Sequence, residues 1–141
     1  MKKYVFILLL MPFLFSCDHD SDTRNTNPFI PDYSFSVTIN MNLPAYSGLH
    51  SALNPVAVNI EGAGVSGLIL MKISDTDYRA WEANCPNQYP SACSRLTIEG
   101  TNAKCPCDGL VYSLFTGVGG GAYTMKPYRV EILSDALRVY N

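Results

Sequence analysis

The stretch Cys85-Pro86-Asn87-Gln88-Tyr89-Pro90-Ser91-Ala92-Cys93, followed after a short interval by Lys104-Cys105-Pro106-Cys107-Asp108-Gly109, holds four of the five cysteines in the chain. Seventeen residues separate Asn87 from Cys105. Between Ala83 and Gly117 the sequence offers three short strand-like pieces broken repeatedly by Pro, Asn and Gly, which mark turns. Four thiols permit three pairings, and the residues alone do not choose among them.

Outward from this segment the pattern is of strands. Val65 to Ile73 is a long apolar run, and Tyr78 to Ala83 alternates aromatic with charged residues. Upstream, Phe35, Val37 and Ile39 alternate with Ser36, Thr38 and Asn40, so Ser34 to Asn40 reads as a half-buried strand. Downstream, Tyr128 to Leu133 and Ala136 to Tyr140 flank Ser134-Asp135 as a tight hairpin. No long stretch carries a 3.6-residue apolar period, and β-branched and aromatic residues are dense, so the expected class is all-β. Gly117-Val118-Gly119-Gly120-Gly121 lacks the Lys-Ser or Lys-Thr ending of a phosphate-cradling loop and reads as a flexible hairpin loop.

With 141 residues and 48% hydrophobic content, the chain has material for one domain with a real core. Its charged fraction is 16% and its net charge −2, which leaves no basic footprint for a phosphate backbone and excludes nucleic acid as a partner. Residues 1–16 have the layout of a secretory signal: Lys2 and Lys3, an apolar run from Tyr4 to Phe15, then Ser16 before Cys17. The ending Leu14-Phe15-Ser16-Cys17 resembles the lipobox of bacterial lipoproteins, which implies that Cys17 is lipidated. Residues 17–32 read as a polar tether and 33–141 as the β domain. The acidic residues after Cys17 resemble surface-export signals of the Bacteroidetes lineage, so the expected location is the cell envelope, lipid-anchored in the outer membrane on its periplasmic or surface face. Loss of Lys2 and Lys3 leaves eight basic and twelve acidic side chains, a net −4, so acyl chains rather than attraction to anionic lipid would anchor the protein.

The two cysteine centres resemble the Rieske domain, which binds a 2Fe-2S cluster between two loops. In that family a cysteine and a histidine come from each loop, and the second loop often reads Cys-Pro-Cys-His-Gly, followed by an aromatic residue and then Gly. Gly109, Tyr112 and Gly117 fall on the following positions. The flanks agree, with Gly67 to Leu70 and Tyr78 to Trp81 before the first loop and the pair Pro127 to Ile132 and Leu137 to Tyr140 as the final hairpin. The resemblance covers roughly Pro55 to Asn141 and implies a small antiparallel β-sandwich or barrel with a two-loop cysteine-rich subdomain.

It breaks at the ligands. The four cluster positions are Cys85, Asn87, Cys105 and Asp108, with an amide and a carboxylate where imidazoles belong. Imidazole ligation sets the potential of a Rieske centre, and neither substitute reproduces its softness or charge. His19 lies in the tether and His50 outside the motif. Lys2-Lys3 is not the twin-arginine signal of a protein exported with a prebuilt cluster. No cofactor and no metal are therefore expected, the alternative being electron transfer by a retained 2Fe-2S cluster or another metal held on Cys85 and Cys105. In an oxidising compartment the thiols pair. The resemblance implies Cys85 with Cys105, because both would meet one iron, and Cys107 with Cys93, like the bridge of cytochrome-complex Rieske proteins.

No Ser-His-Asp set can be assembled, and Asp108 and Glu99 have no evident partner base, so no catalytic residue is assigned. The leading reading is a disulfide-clamped binding or envelope-assembly module whose partners are the membrane, through the lipid, and an envelope protein. A thiol–disulfide redox role for Cys105-Pro106-Cys107 is a further alternative. Trp81, Tyr89, Tyr112, Leu114, Phe115 and Met125 read as packing side chains rather than a recognition surface.

Overall fold

The computed structural model describes residues 26–141. The signal segment 1–16, Cys17 and the tether as far as residue 25 lie outside the described residues. In chain order the elements are β1 (Ser36–Asn40), a single 3-10 turn (Ser47–His50), β2 (Val56–Val58), β3 (Leu68–Ser74), β4 (Asp77–Glu82), β5 (Thr97–Glu99), β6 (Asn102–Lys104), β7 (Val111–Ser113), β8 (Pro127–Ile132) and β9 (Ala136–Tyr140). The protein is all-β. Among the described residues no helix is long and apolar enough to cross a membrane.

Leu68-Ile69-Leu70-Met71 is apolar at every position because β3 is covered on both faces. Leu68 and Leu70 enter one core with Ile39, Met41, Leu49, Val58, Ala80, Tyr128, Leu137 and Val139. Ile69 and Met71 point the other way, into a second core with Trp81, Ala83, Leu96, Ala103, Tyr112, Leu114 and Met125. The first core receives side chains from all six strands of an antiparallel sheet ordered β1-β9-β8-β4-β3-β2. One sheet can surround one core only by curling, and the result is a half-barrel. The second core is closed by a three-stranded sheet, β5-β6-β7, packed over the outside of that curl.

The expected strands are present with shifted ends. The run starting at Val65 enters the ladder only at Leu68, because the Val65 and Ser66 amides donate instead to the Glu82 carboxylate, at 2.7 and 2.9 Å. The register shifts between Lys72 and Ser74 before the turn into β4. β8 and β9 pair from Arg129↔Tyr140 to Ile132↔Leu137 across the Ser134-Asp135 turn. The three-residue strand β2 pairs with β3 although its sequence is too short to show a period.

Candidate functional site

The cysteine-bearing loops sit at the end of the second core and are shaped by polar side chains from β4 and its continuation. Asn84 follows β4 on the same face as Ala80 and Glu82 and is fully buried. Its amide donates to the Cys85 and Gln88 carbonyls at 3.0 and 2.9 Å, and its oxygen accepts from Ser94 Oγ at 2.7 Å and Ser66 Oγ at 3.2 Å. The Cys85 amide closes the loop onto the Ser94 carbonyl at 2.6 Å. Glu82, also fully buried, accepts from the amides of Val65, Ser66 and Asn84 and, at 2.7 Å, from the Tyr128 hydroxyl. Neither residue was singled out in the sequence. The sequence carries no signal for them, because the alternation in Trp81-Glu82-Ala83-Asn84-Cys85 reads as a strand with its polar face in solvent, and the fold buries both faces.

The second loop turns between β6 and β7. The Gly109 amide donates to the Cys105 carbonyl and the Cys105 amide to the Leu110 carbonyl, both at 2.8 Å. Gly109 takes φ 76°, a conformation that side chains with a Cβ resist. Disulfides join Cys85 to Cys105 and Cys93 to Cys107, with Cα atoms 5.5 and 5.1 Å apart. The first lies wholly inside the second core, while Cys93 is exposed and Cys107 half-buried.

The other two positions of interest are engaged with protein. Asn87 Nδ2 donates to the Tyr112 hydroxyl at 2.8 Å and to the Tyr123 carbonyl at 3.1 Å, and Asn87 Oδ1 accepts the Tyr123 amide at 2.9 Å. Asp108 Oδ1 accepts the Leu110 amide at 2.9 Å, and Oδ2 accepts Gln88 Nε2 at 3.1 Å, tying one loop to the other. Burial pushes the Tyr112 phenol above its ordinary range; the hydrogen bond to Asn87 opposes this and the charge of Asp108 adds to it. Among the described residues no group of three or more His, Cys, Asp or Glu side chains is placed to hold a metal ion.

Two further segments cover these loops. The glycine-rich patch, read as flexible, is pinned. Gly117 adopts φ 72° with its Cα against the Trp81 ring, where a Cβ would stand 2.5 Å from Cζ3. Gly121 brings its backbone directly onto the Asn87 amide. The glycines permit close approach, and looseness is not their purpose here. On the other side, the chain packs against the domain from Asn27 onward, ahead of the boundary drawn at Tyr33. Asn27 is buried and donates to the Pro86 carbonyl at 2.7 Å, and Ile30 is buried. The Phe29 ring meets Tyr89 and Tyr123 edge-on at 4.9 and 5.7 Å. Asp32 receives Lys126 Nζ at 2.7 Å.

Of the aromatic and apolar side chains read as packing, Trp81, Tyr112, Leu114 and Met125 are buried, the Trp81 indole donating to the Leu114 carbonyl at 2.9 Å. Tyr89 and Phe115 are exposed, at 66% and 39%. Tyr89 meets the Phe29 ring of the N-terminal segment in a T-shaped pair. Glu99 faces Lys104 at 3.7 Å in an exposed ion pair.

No protein-family model and no curated protein matches the chain. Solved structures with a related outline include the complex of reduced oxygenase and oxidised ferredoxin in carbazole 1,9a-dioxygenase, 20% identical over 76% of this chain and 92% of that chain, with a TM-score of 0.48. The ferredoxin of carbazole 1,9a-dioxygenase from Nocardioides aromaticivorans is 14% identical over 77% of this chain and 97% of its own, with a TM-score of 0.45. A chain described as the small subunit of an NADH-dependent nitrite reductase from Mycobacterium tuberculosis is 17% identical over 78% of this chain and 97% of its own, with a TM-score of 0.46.

Proposed function

We propose that this chain is an exported lipoprotein, acylated at Cys17, whose Rieske-like domain has lost its cluster and serves as a disulfide-clamped binding or assembly module of the cell envelope. The observation that carries the reading is the engagement of all four cluster positions. The Cys85 and Cys105 sulfurs are bonded to each other, and the Asn87 and Asp108 side chains are committed to hydrogen bonds within the loops. A Rieske-type 2Fe-2S cluster needs two thiolates and two imidazoles from this place, and the donors present do not fit it. The disulfides join the two loops where a metal centre would otherwise hold them. Each such bridge contributes about 3 kcal/mol by restricting the unfolded chain.

The lipobox-like Leu14-Phe15-Ser16-Cys17 supports the anchor, and the acidic residues behind it support an outer-membrane position, on the periplasmic or the surface face. The module is not an enzyme on this reading, and its partner is a protein of the envelope. Protein extracted from membranes under anaerobic conditions tests both halves. Colourless material without stoichiometric iron or sulfide, with the mass of an acylated N-terminal Cys17, is expected. Visible charge-transfer bands with bound iron would overturn cluster loss, and a retained residue 1–16 segment would overturn the lipoprotein.

A further inference from the structure

The two disulfides are neighbours in sequence and differ sharply in surroundings. Cys85 and Cys105 have no exposed surface and are enclosed by Ile69, Trp81, Leu96, Ala103 and Tyr112 of the second core. Cys93 is exposed, and Cys107 is half-buried at the margin of the same core. The Ser91 hydroxyl lies 3.6 Å from the Cys93 sulfur and 3.8 Å from the Cys107 sulfur, on the exposed side of the loop. Exchange of a disulfide requires an incoming thiolate to reach one sulfur in line with the bond, so access and support of the departing thiolate govern which bridge reacts.

We propose that Cys93–Cys107 is a site of thiol–disulfide exchange with an external dithiol, while Cys85–Cys105 is the permanent clamp. The dithiol's thiolate attacks Cys93 Sγ, the bond to Cys107 Sγ breaks, and its electron pair leaves on Cys107, which takes a proton from solvent. The Ser91 hydroxyl stands within reach to donate to the departing sulfur. The dithiol's second sulfur, having released its proton to solvent, then attacks the mixed disulfide and expels Cys93, which is protonated in turn. Two electrons pass from the dithiol, which leaves as a disulfide, to a bridge that leaves as two thiols. The first loop stays attached through Cys85–Cys105 and the Asn84 hydrogen bonds, while its outer arm from Tyr89 to Cys93 loses its covalent tie and is held by the Ser91–Ser94 hydrogen bonds. That arm carries the Tyr89 ring against Phe29, so the state of the bridge bears on how firmly the N-terminal segment is seated. The proposal goes beyond a passive clamp, and it does not depend on acylation of Cys17.

The test uses the full chain purified with both disulfides intact. It is exposed without denaturant to graded dithiothreitol, quenched with iodoacetamide and mapped by peptide mass. Cys93 and Cys107 are expected to be labelled together at least about tenfold faster than Cys85 and Cys105, with near-ultraviolet dichroism retained. Ser91→Ala is expected to slow that labelling severalfold. Labelling of all four cysteines at one rate with loss of the dichroism would overturn the proposal, and so would earlier labelling of Cys85 and Cys105. An unchanged rate in Ser91→Ala would overturn it as well. The Cys93→Ser/Cys107→Ser variant serves as the control in which no early label appears. Iron found on Cys85 and Cys105 would defeat the cluster-free reading above without moving the Cys93 and Cys107 readout, so the two failures are distinguishable.

Discussion

Asn87 shows how a position flagged for one chemistry can be committed to another. Its amide holds the Tyr112 hydroxyl and both backbone groups of Tyr123, so Asn87→Ala leaves a buried hydroxyl and a peptide amide without that partner. The expected cost is about 1–3 kcal/mol, read by denaturant titration, with faster hydrogen exchange at the Tyr123 amide. The resemblance pointed to Asn87 and Asp108, but their partners were not legible, since Tyr123 is 36 residues from Asn87 in sequence. Glu82 makes the same point from the other side, because its donors come from a loop sixteen residues earlier and from Tyr128. Burial, reinforced by the Glu82 charge and hydrogen bond, holds the Tyr128 phenol far above its ordinary range. The folded protein therefore keeps this proton at a pH where the unfolded chain, titrating near 10, gives it up. The sign follows: the contribution is fully present below about pH 10 and is lost as pH rises beyond it. Paired unfolding titrations of wild type and Tyr128→Phe should show the wild-type advantage shrinking by about 1 kcal/mol between pH 10 and 11. An advantage constant across that range would show that the phenol does not titrate as described.

Among the elements, β1, β3, β4, β8 and β9 could be read from alternation or, for the doubly covered β3, from an apolar run, because each has five residues or more. β2 could not, having three residues, whereas the equally short β5, β6 and β7 lie in the segment where Pro, Asn and Gly set three strand-like pieces apart. The close approach of the glycine patch to Trp81 and Asn87 was not legible, because composition alone does not distinguish glycine used for freedom from glycine used for contact. The segment before β1 was read as tether for its polar composition, yet it contains Phe29-Ile30, and that pair is what packs. Phe29→Ala should remove its edge contacts with Tyr89 and Tyr123 at a cost of about 0.5–1.5 kcal/mol beyond lost burial. Proteolysis near residues 26–33 should accelerate while the β8–β9 hairpin keeps its exchange protection. If both regions loosen together, the segment is part of one cooperative unit with the sheet.

Across the whole molecule, the two cores share one wall, β3 and β4, and differ in how they are closed. The half-barrel closes by curvature and hydrogen-bonded strands, whereas the cysteine end closes by covalent bonds around a sheet of three-residue strands. The all-β class was legible because it follows from local periodicity. The disulfide partners were implied by the resemblance, while the residues alone left three pairings open. The arrangement of the two ends carries a mechanical consequence. Ser36 lies opposite Tyr140, and the Asn141 side chain reaches Asp32 Oδ1 and the Tyr33 carbonyl, so β1 begins and β9 ends side by side at the outer margin of the large sheet. A stretching force applied between residue 34 and residue 141 would peel β1 from β9 one rung at a time, like a zipper opened from its tab. Such loading gives way at low force, and optical-trap traces should show an early step before any extension of the cross-linked half.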